Sequence, residues 1–516
     1  MSLARDITTV GGGTLMSRLL AYLRDAWIAA LLGAGPYSEA FFVVLQVVNF
    51  FRRLLSEGAL NGAFVPIWLK LRRSKDGASN ADRFTWRVLV TLFCIAGTIG
   101  LLAIFFGQSV IAAVAPGFDQ ARQLLAVFLL LIVAPYVVLA GLVAALAAAL
   151  SAEGRVGIVA GSAVLFNLVM VLALVLLSRG EFDHFYLTTW LACAVTVAGI
   201  AQLLVTAGAW LSTGKRWRRN RTYVRDQTGV FFKRAFPGLI ATGIPQLKLI
   251  AATAIASASP AAVSWLYYAN RLYELPLGIA SIAVAAVIVP RIAASVHAND
   301  KIAIAAAQSR AYEIAAGLAL PAATGFALLA EPIARGLFER GAFVAHDTDA
   351  VAAALMAICA GLPGHVLEKV FGAVSFAHED THTPMVAALA GLATAIGGGV
   401  LLFPRFGHVG VAGAIAISGW VGAGLLSIIL YRRHWLRLDA DARRRLPRIA
   451  IATIIMAGAI YYSTHMLGPA QPASSLGRLL ILAVLVTLGV VIYLASLQLL
   501  GAVKLEALAV ALRRKS

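Results

Sequence analysis

The sequence predicts an all-α polytopic membrane protein. Of its 516 residues 60% are hydrophobic and 13% charged, and the mean hydropathy of +0.85 lies far above that of soluble domains. The apolar residues gather into runs of about 20, long enough to cross a bilayer core. Most charges fall in the short connections between those runs. The net charge of +19, from 43 Lys and Arg against 24 Asp and Glu, does not point to nucleic acid, because nucleic-acid-binding proteins collect basic residues on one solvated face.

Fourteen transmembrane helices are expected, at about 12–33, 39–69, 88–115, 122–152, 156–178, 186–211, 232–257, 262–289, 303–330, 348–376, 383–403, 409–431, 449–467 and 477–502. The first follows "MSLARDITTVGGG", which offers no uninterrupted apolar stretch and no cleavage site, so this helix is expected to stay in the mature chain. The second and third flank the basic "KLRRSKDGASNADRFTWR". The sixth ends at "GKRWRRNRTYVRDQTGVFFKR", the longest basic linker, which divides the first twelve helices into two six-helix lobes. The twelfth ends at "YRRHWLRLDADARRRLPR", and the last two flank "HMLGPAQPASS". The expected units are therefore an N-lobe at 1–215, a C-lobe at 216–434, and a C-terminal helix pair with its tail at 435–516. With a cytoplasmic N-terminus the basic connections share the cytoplasmic side, and "GAGPYSE" and "SASPAA" lie opposite. That asymmetry places both termini in the cytoplasm. Cys94, Cys193 and Cys359 each lie within an apolar run, without disulfide or metal-ligand spacing.

A charged side chain at the centre of a spanning helix costs about 2.5 to 3.5 kcal/mol on insertion scales, so it is expected to meet a partner or a wet cavity. In the first span Arg18 and Asp25, seven apart, share a face with Tyr22 between them, and Arg24 points a quarter-turn away. In the second, "NFFRRLLSEGALNGAFVPIW" sets Asn49, Arg52, Arg53, Ser56 and Glu57 on one polar stripe. In the eighth, "WLYYANRLYELP" sets Asn270, Arg271 and Glu274 on successive turns. The second and eighth spans echo each other, each running from an Asn with nearby Arg and Glu to a Val-Pro, as parallel repeats in two six-helix halves would.

Two readings of these charges stand side by side. In one, Arg18–Asp25, Arg53–Glu57 and Arg271–Glu274 are internal ion pairs that lock helices together. In the other, the arginines outnumber the carboxylates and the excess serves an anion that comes and goes. The planar fork of arginine, charged at every physiological pH, suits a phosphate or pyrophosphate. Lys248 in "IPQLKLIAATAIA", with Glu368 and Lys369 in "PGHVLEKVFGAV", either carries a coupling ion or proton or forms a Lys248–Glu368 pair.

Other motifs narrow the choice. The closest approach to a phosphate-cradling GxxxxGK[ST] loop, "GAWLSTGKRW", has five intervening residues and an Arg after the Lys, so ATP-driven pumping is not expected. "HED" at His378 to Asp380 and "DAD" at Asp439 to Asp441 lack a second ligand cluster and are not expected to bind metal. "PIARGLFERGAF" sets Ile333, Leu337 and Phe338 against Arg335, Glu339 and Arg340, as in a short helix lying on the far membrane surface.

The run "SRLLAYLRDAWIAALLGAGPYSEAFFVVLQVVNFFRRLLSEGALNGAFVPIW", with "VAPGF" at Val114, "VSWLYYANRLYELPLGIA" at Val263 and "EDTHTP" at Glu379, resembles the MurJ (MviN) family of lipid II flippases, in the multidrug/oligosaccharidyl-lipid/polysaccharide exporter superfamily. The resemblance covers most of the chain. It implies two six-helix lobes around a central cavity, plus two C-terminal helices forming a groove for a lipid tail. It also implies transport of lipid II, an undecaprenyl-pyrophosphate-linked disaccharide peptide, from the cytoplasmic to the outer leaflet of the bacterial inner membrane. Arg18, Arg24, Arg52 and Arg271 match the family's cavity arginines, and Asp25, Asn49, Ser264 and Glu274 fall at matching positions. Asn270 stands where many relatives have Asp, and Lys248 where a small polar residue is commoner, which bears on coupling. No cofactor is implied; the energy source is membrane potential or a coupling monovalent ion. The expected partners are lipid II, membrane lipids and the cell-wall synthesis machinery. The alternatives are a flippase for another polyprenyl-linked oligosaccharide and a membrane-embedded enzyme acting on polyprenyl phosphates.

Overall fold

A computed structural model describes residues 3–56, 59–74, 77–213, 225–298, 300–467 and 474–502. Among them every regular element is helical. The chain divides into two compact units, Met1–Ser264 with Arg340–Phe343, and Trp265–Glu339 with Val344–Ser516.

The first unit holds α1 (Leu3–Leu32), α2 (Pro36–Ser56), α3 (Ala59–Arg72), α4 (Gly77–Phe105), α5 (Gly107–Val114), α6 (Gln120–Val133), α7 (Pro135–Ala152), α8 (Val156–Leu177), α9 (His184–Leu211) and α10 (Arg225–Ala256). Local chemistry sets several boundaries. Pro135 takes the first position of α7, where its missing N–H costs nothing. The Asp119 carboxylate accepts the Arg122 N–H at 2.8 Å and so starts α6. Within this unit α1 packs on α8, α4 on α7, and α10 on α3. Phe64, Phe84 and Phe231, each at most 1% exposed, meet at centroid distances of 5.0 to 6.1 Å and tie α3, α4 and α10 together.

The second unit takes up α11 (Ala262–Ala283), whose first residues belong to the first unit, and a π-helical turn at Val284–Ile288. It continues with α12 (Val289–His297), α13 (Lys301–Leu328), α14 (Ala330–Phe338), α15 (Ala345–Cys359), α16 (Leu362–Ala377), α17 (His382–Arg432), α18 (Ala440–Leu467) and α19 (Ser475–Leu499). The spans expected at 383–403 and 409–431 form one 51-residue helix that turns sharply at Gly407, whose φ of 55° and ψ of −139° suit a residue without Cβ. The short helix expected around Pro332 is α14. It buries Ile333 and Phe338, and Arg335 bridges Glu331 at 2.7 Å and Glu339 at 3.2 Å.

Nine helices among the described residues are long and apolar enough to cross a membrane. Their outer faces stay apolar, for example Leu172 and Leu176 on α8 at 53% and 66% exposure, as lipid rather than water requires. Lipid gives helices no hydrophobic reason to associate, so close approach at small residues takes over. The α16–α17 contact shows it: a Cβ on Gly361 would sit 2.4 Å from Ala416 Cα. The three cysteines are free thiols.

Candidate functional site

In the first unit α1 lies along α8, and the polar residues of both helices meet there. Arg24 donates from Nε and Nη2 to Asp25 Oδ1 at 2.9 and 2.7 Å, and from Nη1 to Asn167 Oδ1 at 3.2 Å. Asn167 in turn donates to the Ser17 carbonyl and hydroxyl at 3.0 and 3.1 Å. Arg24 and Asp25 are 6% and 0% exposed. The backbone phase that sets Arg24 a quarter-turn from Asp25 is overridden by the length of the arginine side chain, which folds back onto its neighbour. Asp25 therefore faces Arg24, not Arg18 as the seven-residue spacing suggested. Half-buried Arg18 makes no hydrogen bond or ion pair among the described residues.

On α2, Asn49 Oδ1 accepts from Arg52 Nε at 3.1 Å, and Asn49, Arg52 and Arg53 are all half-buried. The stripe read from the sequence is present up to Arg53. Glu57 lies outside the described residues. Lys248 is half-buried on α10.

A second cluster in this unit escaped sequence reasoning. Arg122 Nη1 donates to Glu39 Oε2 at 2.9 Å, and Glu39 Oε1 accepts the Val263 N–H at 3.2 Å. Asp119 is held below the usual carboxylate range, first by the Arg122 backbone N–H and also by the Arg122 guanidinium. Ser264, expected near substrate, is fully buried with its hydroxyl 3.0 Å from that of Ser38. Here it pins the start of α11 to the start of α2. Glu39 in the first turn of α2 was the available signal, since acids favour helix N-termini.

In the second unit Arg271 Nη1 donates to Glu274 Oε2 at 3.2 Å, with both side chains about a quarter exposed. Glu368 lies against α17, where a Cβ on Gly422 would come 2.9 Å from its carboxyl carbon. Exposed Lys369 has no partner among the described residues. Between α13, α14, α18 and α19 lies a cavity of about 690 Å³, lined by apolar groups such as Leu318, Met456, Ile460, Val490 and Leu494. Its lining follows α13 from Arg310 to Phe326, about 24 Å at 1.5 Å per residue, most of a bilayer core. Ion pairs stand near both ends. Glu313 takes Arg310 at 3.1 Å and Arg445 at 3.3 Å at one end, and Glu339 takes Arg478 at 2.9 Å at the other.

The two acidic loops are helix starts. Asp380 accepts the N–H groups of His382 and Thr383 at 3.0 and 3.1 Å and also pairs with Arg433. Burial works against its charge, but the Thr383 and Arg433 donors outweigh it and hold the carboxyl at about 2. Asp439 accepts the Ala442 N–H at 2.7 Å. His378 stacks on Trp435 at 4.1 Å. Among the described residues no group of three or more His, Cys, Asp or Glu is placed to hold a metal.

The family model described as "Lipid II flippase MurJ" matches residues 28–496. The "Probable lipid II flippase MurJ" of Rhizobium meliloti (strain 1021) is 36% identical over 505 residues, covering 96% of this chain and 93% of its own. Among solved structures, "Lipid II flippase MurJ, inward closed conformation" aligns with a TM-score of 0.79 at 22% identity, over 94% of this chain and 97% of that one. An inward-facing multidrug resistance MATE family transporter of the MOP superfamily shares the fold with a TM-score of 0.67 at 15% identity, over 81% and 94%.

Proposed function

This chain belongs to the lipid II flippase MurJ family, and on that premise we propose how its residues carry the activity. The protein is a membrane transporter, not an enzyme, and its substrate is lipid II, the lipid-linked precursor of peptidoglycan. The described helices are read as fourteen crossings: α1, α2–α3, α4–α5, α6–α7, α8, α9, α10, α11–α12, α13, α15–α16, the two halves of α17, α18 and α19. Both termini lie in the cytoplasm of the bacterial inner membrane, the side that takes the basic connections.

Arg18, Arg52 and Arg53 bind the pyrophosphate, and Arg271 with Glu274 serves the headgroup. The observation that carries this reading is Arg18, a guanidinium half-buried in a spanning helix without a partner among the described residues. Such a charge is tolerated where an anion arrives. Arg24, paired with Asp25 and bonded to Asn167, positions α1 against α8. The apolar cavity beside α18 and α19 takes the polyprenyl tail while the headgroup crosses by alternating access. A net-positive site responds to membrane potential at about 2.3 kcal/mol per charge per 100 mV, which supplies a reset without ATP. Cell-wall synthesis enzymes receive the product at the outer face.

The test uses full-length protein in liposomes with labelled lipid II in one leaflet. Arg52→Ala and Arg271→Ala are expected to insert normally and to abolish translocation, with the lipid recovered chemically unchanged. Near-normal translocation by both variants overturns the headgroup site, and a covalent change to the lipid restores the enzyme alternative.

A further inference from the structure

His365, in the first turn of α16, is an imidazole that the substrate chemistry leaves unused. It rests on α17 at Gly419, where a Cβ would come 2.6 Å from Nδ1 and 2.7 Å from Cε1. Gly364 makes the same close approach one residue earlier, its Cβ position 2.8 Å from the Trp420 nitrogen. The ring thus lies in a notch that only a residue without a side chain leaves open, and its orientation is fixed by packing.

Two oxygens reach the same ring nitrogen. Tyr273 Oη is 2.8 Å from His365 Nδ1, and the Gly361 carbonyl is 3.0 Å from it. The carbonyl, which already receives the His365 backbone N–H at 3.0 Å, can only accept. Tyr273 is 3% exposed, so its hydroxyl needs an acceptor. In the neutral tautomer that carries its hydrogen on Nε2, the one that gives the buried Tyr273 hydroxyl an acceptor, Tyr273 donates to Nδ1 and the Gly361 carbonyl faces a lone pair. In the imidazolium Nδ1–H donates to the carbonyl and to Tyr273 Oη, and the direction of the Tyr273 bond reverses. Proton uptake by that tautomer therefore changes the hydrogen-bond pattern within one geometry.

Glu368 stands one turn along α16, and Glu368 and Cys359 lie close enough to Tyr273 to act on it electrostatically. The α17 stretch beneath the ring, Ala416 to Gly422, has no titratable side chain. Arg291 and His297 of α12 are exposed, Tyr312 of α13 packs on Phe371 further along α16, and Arg310 and Glu313 belong to the lipid-tail cavity. Tyr273 itself sits on α11 between Arg271 and Glu274.

We propose that His365 is a proton-binding site, and that proton uptake there, read out through Tyr273 on α11, makes lipid II transport proton-linked. The inference rests on the reading of Arg271 and Glu274 as headgroup residues. Protonation changes what Tyr273 holds, and Tyr273 shares a helical turn with that pair.

The experiment follows transport by the full chain in liposomes from about pH 5 to 8, the range in which an imidazole titrates. Transport by the wild-type protein at any pH in this range decides the flippase reading independently. For the proton site, the wild-type rate is expected to titrate and His365→Gln to transport at a rate that no longer varies with pH. A flat wild-type profile, or an unchanged profile in His365→Gln, overturns the proposal. Should His365→Gln fail to insert, the His365 midpoint is read by NMR of the labelled imidazole in Tyr273→Phe and Glu368→Gln. Each variant removes a group that acts on the ring or on its tyrosine partner, so the midpoint is expected to move by roughly 0.5 to 1 unit in each. Midpoints that stay put in both variants overturn the proposal.

Discussion

Asp25→Ala and Arg18→Ala separate an arginine that holds the fold from one proposed to meet substrate. Arg24 spends three donors on Asp25 and Asn167, and its side chain is 8% exposed against 0% for Asp25. Removing Asp25 leaves a guanidinium enclosed between α1 and α8 without its counter-charge. Breaking one side of a buried pair costs about 3 to 5 kcal/mol. At about 2 °C per kcal/mol for units of this size, the melting temperature in detergent falls by roughly 6 to 10 °C. Arg18 has no partner among the described residues, so Arg18→Ala should stay within about 0.5 kcal/mol of the parent. Its loss shows in transport instead. A charge-assisted hydrogen bond to phosphate contributes about 1.5 to 3 kcal/mol, a factor of roughly 10 to 150 in binding. The assays are thermal unfolding in detergent and lipid II translocation in liposomes, on the same preparations. If Arg18→Ala melts as early as Asp25→Ala, or if it translocates at the parent rate, the division between the two arginines is wrong.

Filling the apolar cavity should slow transport without unfolding the protein. Gly317 lines that cavity, and a Cβ there meets only Tyr493 Oη, at 3.8 Å. Gly317→Leu is expected to insert and bind headgroup analogues normally but to translocate at least about tenfold more slowly, as tail access worth roughly 1.4 kcal/mol is lost; parent-rate translocation would remove the cavity from the path. At the start of α17, Asp380→Ala should cost about 1 kcal/mol at pH 7 as the helix loses its cap. Because the folded carboxyl lies below its ordinary value of 3.8, at about 2, its contribution is complete above about pH 4 and disappears as pH falls through about 2. Melting curves of parent and variant should therefore converge at that acid limit, and a gap that closes on raising the pH would contradict the assignment. Toward the far end of the cavity, Glu339→Gln removes one ion-pair partner from Arg478 and one from Arg335, which keeps Glu331. Tryptic or thermal release of α19 at a lower threshold is expected, and unchanged behaviour would mean that apolar packing alone holds α14 to α19.

Much of the candidate site was legible because an arginine in an apolar run is costly wherever the run folds. Arg18, Arg52, Arg53 and Arg271 stood out on that ground, and the Arg271–Glu274 pair formed at its i, i+3 spacing. Spacing failed at Asp25, since a helical wheel tracks Cβ directions and a long side chain can reverse them. Glu39 and Arg122 are 83 positions apart, and Tyr273 and His365 are 92 apart. No local pattern pairs such residues.

The sequence by itself determined that this chain lives in a membrane, that its helices span it, and which costly charges lie within them. Those properties follow from transfer free energies that each residue brings wherever it is placed. Tertiary structure alone decided which arginine of α1 is spent on a carboxylate and which has no ion pair among the described residues. It also decided where an apolar cavity opens between α13 and α19, and that one imidazole lies in a glycine notch under a tyrosine. Those outcomes depend on distances of a few ångströms between helices far apart in sequence, which arise only when the helices pack.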